Sequence, residues 1–302
     1  MAEASIFCMQ RRVVAHKTVE SWMDTPHVSV LYDLDAAALT AAARACASDP
    51  NYAGVRITLN AVLLKVIAAA LAQSPEMNGH IWYDRRAGVG RVTPVDAVHI
   101  AIPLRMADGR MVTPILRNVD SRSLREVSLG IEDIRRRLAG TNLDCLLMEV
   151  GLEDTWQRLR SGQLLTVLRR LYSNFIGPYR LGGPTMAQRR AHRRIPATER
   201  LVPADLHNAT TLVSNIGSSV PNLPVRLGML MIISPNTTAI GLGPSRPTPV
   251  AVTGPDGEAR VEIRPMLPVT LCFDHRAMDF EHVTGFLKEL DRIAADPAAV
   301  LA

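Results

Sequence analysis

Residues 267–290 leave this chain few ways to fold. Leu267-Pro-Val-Thr-Leu-Cys-Phe273 is an apolar run with an alternating tail, Val269, Leu271 and Phe273 on one side and Thr270 and Cys272 on the other. That period marks a strand. The run stops at Asp274-His275-Arg276, and Val283, Phe286, Leu287 and Leu290 then recur at helical spacing. A strand therefore delivers a histidine to a strand-to-helix junction, with Asp279 four residues on. Taken alone, His275 reads as a satisfied polar residue at a strand end and Asp279 as a helix cap.

Other segments read more simply. Arg11-Arg12 opens a helix that must end before Pro26, because proline disfavours helix at the residue before it. A strand follows from His27 to Asp35, then an Ala-rich helix from Ala36 to Ala47 with Asp35 placed to cap it. Thr58 to Gln73 is the clearest helix, with Leu59, Val62, Leu63, Val66, Ile67, Ala70 and Leu71 forming one apolar stripe and Thr58 as cap. Ser74-Pro75-Glu-Met-Asn78-Gly79 stops it. Val98–Leu104 and Met111–Leu116 read as strands around an Ala107-Asp108-Gly109 turn. Ser123–Leu138 reads as a helix capped by Ser121 or Ser123, its basic end Arg135-Arg136-Arg137 matching the helix dipole. Asp256-Gly257 turns one strand into the next, Ala259–Phe273.

The stretch 139–200 is of another kind. Its 62 residues carry ten arginines against five carboxylates, an excess equal to the +5 of the whole chain. In its first half Trp156, Leu159, Leu164, Val167, Leu168, Leu171, Tyr172 and Phe175 fall mostly three or four apart, with Arg158, Arg160, Arg169 and Arg170 between them, so it reads as amphipathic helix. The second half, from Gly177 through Arg193-Arg194, reads as loop. The plain account is a helical hairpin packed on the domain with a solvated basic rim. Sharper accounts are a lid, a docking surface for an acidic carrier protein or a lipoyl domain acting in trans, or a helix lying on a membrane surface. Nucleic acid is not expected, since the arginines lack interleaved aromatics and no known module is visible.

With 302 residues, 47% of them hydrophobic, the chain can bury a large core. No apolar run reaches the length of a membrane helix, and the start has no signal-peptide order. Cys8, Cys46, Cys145 and Cys272 have neither metal spacing nor the look of a disulfide framework. The expectation is a cytoplasmic protein with reduced thiols and no metal.

Several of these segments resemble the catalytic domain of the dihydrolipoyl acyltransferase component of 2-oxoacid dehydrogenase complexes. Leu267-Pro-Val-Thr-Leu-Cys-Phe-Asp-His-Arg-Ala-Met-Asp279 is similar to that family's Asp-His-Arg, two variable residues, Asp-Gly signature and the strand before it. Thr211-Leu-Val-Ser214-Asn215-Ile-Gly217 resembles its Thr-Ile-Ser-Asn-Leu-Gly, and Leu201-Val-Pro-Ala-Asp-Leu206 the Leu-Thr-Pro-x-Asp-Leu ahead of it. Arg110–Leu116, Ser234–Gly243 and the Arg-Arg start also match, so the likeness covers about 11–138 and 201–298 and is broken by the insertion. It implies one α/β domain over 1–302, a chloramphenicol acetyltransferase-like two-layer sandwich of mixed sheet and helices, built as a homotrimer with its active site between subunits.

The resemblance also implies roles. His275 is the general base and Ser214 the oxyanion donor, not a nucleophile. Asp279 holds the loop by pairing with Arg12 or Arg11, and Asn215 supports the site. The substrate is a coenzyme A or carrier-protein thioester, and the acceptor a thiol, hydroxyl or amine. Phe280 stands where the family has glycine and would line or narrow the channel; the family's glycine pair is Asn208-Ala209 here. No lipoyl attachment site is seen in the chain, so a free-standing acyltransferase is expected rather than an ordinary complex core. Two other readings stand beside it: a non-catalytic scaffold working through the insertion, and a condensation-type enzyme with a related His-x-x-x-Asp motif.

Overall fold

The computed structural model describes residues 7–160, 162, 164–172, 176–177, 180, 182–221 and 223–301. Its frame is a mixed sheet in the order β1 (His27–Asp35), β11 (Ala259–Asp274), β9 (Thr238–Leu242), β8 (Thr211–Asn215), β4 (Ile100–Ala101) and β7 (Ile115–Leu116), with β10 (Arg246–Thr253) paired to the first half of β11. β11 is antiparallel to β1, β9 and β10, whereas β8 runs parallel to both β9 and β4. The long β11 can serve three neighbours because its halves differ. Residues 259–263 are exposed and pair only with β10, while 267–274 are buried on both sides.

That double burial exceeds what the alternation in 267–273 requires. One face of the sheet carries α2 (Ala37–Ser48), α3 (Leu59–Ala72), α4 (Leu124–Ala139) and α8 (Phe280–Ala295), and their apolar stripes close on Val269, Leu271 and Phe273. The other face is covered by the extended segment 227–232. Its Leu230 N–H donates to Cys272 Sγ (3.2 Å), and Thr270 hydrogen-bonds Leu227 O. Gly241 makes this close approach feasible: a Cβ there would sit 2.6 Å from Leu227 Cδ1 and 2.7 Å from Leu230 Cδ1.

The predicted helices α3 and α4 form with the caps their sequences call for. Thr58 accepts from Ala61 N–H at the start of α3 (3.2 Å), and Ser123, not Ser121, closes a capping box with Glu126 on α4; on α2 the N-cap is Ala36 and not the expected Asp35, whose carboxylate accepts from Ala37 N–H (2.9 Å) from one residue further out. The two strands expected around Gly109 are each cut in two. β4 and β5 (Leu104–Arg105) flank Pro103, β6 (Met111–Val112) and β7 flank Pro114, and proline has no N–H for a ladder. A hairpin not anticipated above, β2 (Gly79–Asp84) with β3 (Val89–Pro94), turns at Gly88, whose φ is +66°. Its signals were the Gly88 turn and the alternation of buried Ile81 with exposed Trp82.

The insertion holds α1's neighbour α5 (Leu143–Arg160), then α6 (Leu164–Leu171) and α7 (Met186–Arg194); α1 itself spans Met9–Asp24. Two expectations are corrected here. The segment expected to be loop contains α7, nucleated by a Thr185–Gln188 capping box. The apolar stripe of α6 does not pack inward: Val167 is buried, but Leu164, Leu165, Leu168, Leu171 and Tyr172 are exposed. At about 100° per residue these five fill one arc of about 120°, with Val167 beyond its edge. Phe175, the last residue of that predicted stripe, lies outside the described residues.

Candidate active site

The corner after β11 is fixed before any side-chain chemistry is considered. Asp274 N–H donates to Thr237 O (2.9 Å) and His275 N–H to Pro26 O (3.1 Å), so the turn is tied to strands on both sides. The Asp274 carboxylate is fully buried and takes four bonds from Arg276, one from the backbone N–H (2.9 Å) and three from the guanidinium, Nε to both oxygens (3.0 and 3.2 Å) and Nη2 to one (2.6 Å). These bonds push the Arg276 pKa further up. The guanidinium lies 5.4 Å from the Tyr83 ring centroid, a cation–π contact from the overlooked hairpin.

His275 projects from this anchored turn with nearly half its side chain exposed. Its ring meets Phe273 edge-on at 5.7 Å between centroids. Nδ1 lies 3.1 Å from Met278 O and 3.4 Å from an Asp279 carboxylate oxygen. A carbonyl can only accept, so Nδ1 carries the proton, and Nε2 is left with its lone pair and no partner among the described residues. Asp279 stands at the N-terminus of α8 and is largely exposed, as is Phe280, the first residue of that helix.

Ser214 lies near the end of β8, half-buried, between Val213 in the core and Asn215. Asn215 fixes the turn beyond it: its Nδ2 donates to Asn60 Oδ1 on α3 (2.8 Å), and its Oδ1 accepts from Gly217 N–H (2.9 Å). The Ser214 hydroxyl has no partner among the described residues.

The registers keep His275 and Ser214 apart within one chain. Ser214 is level with Gly241 and, across β9, with Thr270. His275 is therefore five residues further along and two strands over, about 17 Å by about 10 Å. Arg11 and Arg12 do not pair with Asp279 among the described residues. They sit at the start of α1, whose other end leads into β1 beside His275, and twelve residues of helix span about 18 Å. A cleft of ≈ 230 Å³ beside Arg276, lined by Lys17, Glu20, Asp24, Tyr83 and Arg85, includes neither His275 nor Ser214. A single chain thus presents the imidazole and the Ser214 hydroxyl on separate parts of its surface.

The mixed sheet, the histidine at the strand-to-helix corner and the Ser-Asn-x-Gly turn are the features in which the chain resembles an acyltransferase catalytic domain. The chain belongs to the 2-oxoacid dehydrogenases acyltransferase (catalytic domain) family, whose pattern matches residues 3–146 and 187–302. The unmatched 147–186 falls inside the 139–200 stretch. The acetyltransferase component of the Zymomonas mobilis pyruvate dehydrogenase complex is 20% identical over 97% of this chain and 50% of its own length. The corresponding Azotobacter vinelandii component is 28% identical over 43% of this chain and 19% of its own. The chain thus spans half or less of the length of these relatives. Among solved structures, the cubic core of the pyruvate dehydrogenase multienzyme complex superposes with a TM-score of 0.67 at 21% identity, covering 100% of this chain and 95% of that one. A probable dihydrolipoamide acetyltransferase from Listeria monocytogenes gives 0.65 at 19%, covering 98% and 94%.

Proposed function

We propose that residues 1–302 act as one catalytic unit that moves an acyl group from a coenzyme A or carrier-bound thioester to a thiol, with His275 as general base and Ser214 as oxyanion donor. The observation that carries this is the placement of the imidazole. Its Nδ1 lies against the Met278 carbonyl (3.1 Å) and 3.4 Å from the Asp279 carboxylate, which leaves Nε2 free to take a proton at a half-exposed position. In the reaction Nε2 takes the thiol proton as sulfur attacks the thioester carbonyl. The tetrahedral oxyanion accepts a hydrogen bond from the Ser214 hydroxyl. Collapse expels the leaving thiolate, which recovers the proton from the imidazolium. Asp279 stabilises that cation, and Asn215 keeps Ser214 in place through its two bonds to Asn60 and Gly217.

On this reading the base and the donor come from different subunits, since one chain holds them about 20 Å apart. A homotrimer meets that need, with Phe280, exposed beside the corner, lining the channel between subunits. The experiment is complementation. His275→Ala and Ser214→Ala proteins, each inactive in acetyl exchange between acetyl-coenzyme A and dihydrolipoamide, are mixed, dissociated and reassembled. Some interfaces in the mixed assembly then hold both intact groups, and part of the activity returns. No recovery in demonstrably mixed assemblies defeats the shared site, and an inactive wild type with a panel of acyl thioesters defeats the acyl-transfer reading.

A further inference from the structure

The core of this protein hides its large apolar side chains, whereas α5 and α6 display theirs. On α6, Leu165 is 73% exposed, Leu168 61% and Leu164 58%, with Leu171 and Tyr172 in the same arc. On α5, Leu152 and Trp156 are exposed, four residues apart, and Ile176 beyond α6 is exposed as well. Such a concentration is far from the scattered single exposures normal on a soluble surface. The charge is positive on α6 and beyond it but mixed on α5, where Glu153 is exposed and Asp154 half-buried between Leu152 and Trp156, Asp154 being paired with Arg158 at 3.0 Å. Arg160 lies over the Trp156 ring at 5.1 Å, Arg169 is exposed on α6, and Arg180, Arg190, Arg193 and Arg194 are exposed further along.

We infer that the α5–α6 face is a docking surface for an anionic membrane, with α6 lying in the lipid interface. Aliphatic side chains in one arc enter the acyl-chain boundary, Trp156 and Tyr172 suit the headgroup level, and the arginines meet lipid phosphates. The helix is too short to cross, and no described helix is long and apolar enough to do so. A second copy of the chain fits less well. A two-fold contact places the same patch on both partners, so the arginines of both copies would be brought together around one apolar interface. An acidic protein would answer the charge, but it would need a matching apolar groove; a bilayer offers both features without shape complementarity.

The test uses the full chain and co-sedimentation with vesicles of phosphatidylglycerol or of phosphatidylcholine. Wild type binds the anionic vesicles about ten-fold or more better than the zwitterionic ones, and high salt weakens that binding. The Leu165→Glu/Leu168→Glu double variant loses it by about ten-fold, and Arg169→Glu by less. Both keep the wild-type circular dichroism spectrum and thermal midpoint, because these side chains are exposed. Equal binding of wild type and the double variant, or no preference for anionic lipid, overturns the proposal. So does a vesicle-free change in assembly mass in the double variant, which would assign the face to protein contact. Acetyl exchange, measured on the same samples, reports on His275 and Ser214 separately, so failure of one reading leaves the other intact.

Discussion

The β11–α8 corner and the α5–α6 insertion are made from similar apolar residues put to opposite uses. In the corner, Leu271, Phe273 and Phe286 are shut into the core, and an imidazole with Nδ1 against a carbonyl is left accessible beside the largely exposed Asp279. In α6 a single valine packs inward and the leucines face out. The corner needs rigidity, since a base must be held within hydrogen-bonding reach of its proton. The insertion contributes little to that rigidity, so its apolar surface is free to serve a partner. Burial separates what holds the fold from what is held in reserve.

The sharpest test of this contrast is activity. His275→Ala lowers acyl exchange by about 10²–10⁴-fold, and Ser214→Ala by about 10²–10³-fold, both with unchanged thermal midpoints because neither side chain is part of the core. A loss of stability on the same scale would make His275 a structural residue. Next come the groups that carry the corner. Phe286→Ala costs about 3–5 kcal/mol in urea unfolding. Asp274→Ala, which strands the Arg276 guanidinium, costs a similar 3–5 kcal/mol or so. If Asp274→Ala leaves stability intact but abolishes exchange, the pair positions His275 without supporting the fold.

Much of the corner was legible because its signals are local. The alternation of 269–273, the helical spacing from Val283 to Leu290 and the Asp-His-Arg between them each follow from short-range rules, and β1 spans the anticipated His27–Asp35. What escaped depends on distant partners. Nothing near Asp274 says that its carboxylate is fully buried, or that Tyr83, on an unanticipated hairpin, covers the guanidinium of Arg276. The pairing of Asp279 with Arg12 or Arg11, implied by the family likeness, is not seen among the described residues, and about 18 Å of helix lies between those arginines and the end of α1. Within the insertion the amphipathic spacing was visible, but periodicity cannot tell which face meets the protein. The Thr185–Gln188 cap of α7 was a readable signal, masked by a composition that looks like loop.

Acid provides a comparison of the two regions through their histidines. His27 on β1 accepts from Ile232 N–H at Nε2 (3.1 Å), and burial above all pushes its pKa down. His192 on α7, buried beside Arg200 and Glu149, is pushed down too, by burial first and then by the Arg200 charge. Both are stabilised neutral when folded, so the unfolded chain binds protons more readily. Their contribution to stability is complete above about 6.5, the ordinary histidine value, and is lost as pH falls below it toward the folded values. Urea midpoints measured from pH 7.5 downward therefore decline below pH 6.5. Hydrogen exchange assigns the loss, with α7 amides loosening through His192 and the 230–233 segment through His27. Protection that is flat with pH in α7 would mean that His192 titrates alike in both states.

The smallest effect is the most diagnostic for the insertion. Leu165→Ala removes three carbons from the most exposed leucine of α6, and alanine is the best helix former. A residue packed in a core would lose about 2–5 kcal/mol on this change; an exposed one shifts stability by about 0.5 kcal/mol or less. The expected result for the lipid-free protein is the second, with a midpoint equal to or slightly above wild type. Added anionic vesicles should raise the wild-type midpoint more than that of Leu165→Ala, because a ligand that binds only the folded state stabilises it in proportion to its affinity. A cost of several kcal/mol without lipid would mean that Leu165 is already covered in the assembled protein, and the contrast between the two regions would then be one of subunit contact rather than of reserve.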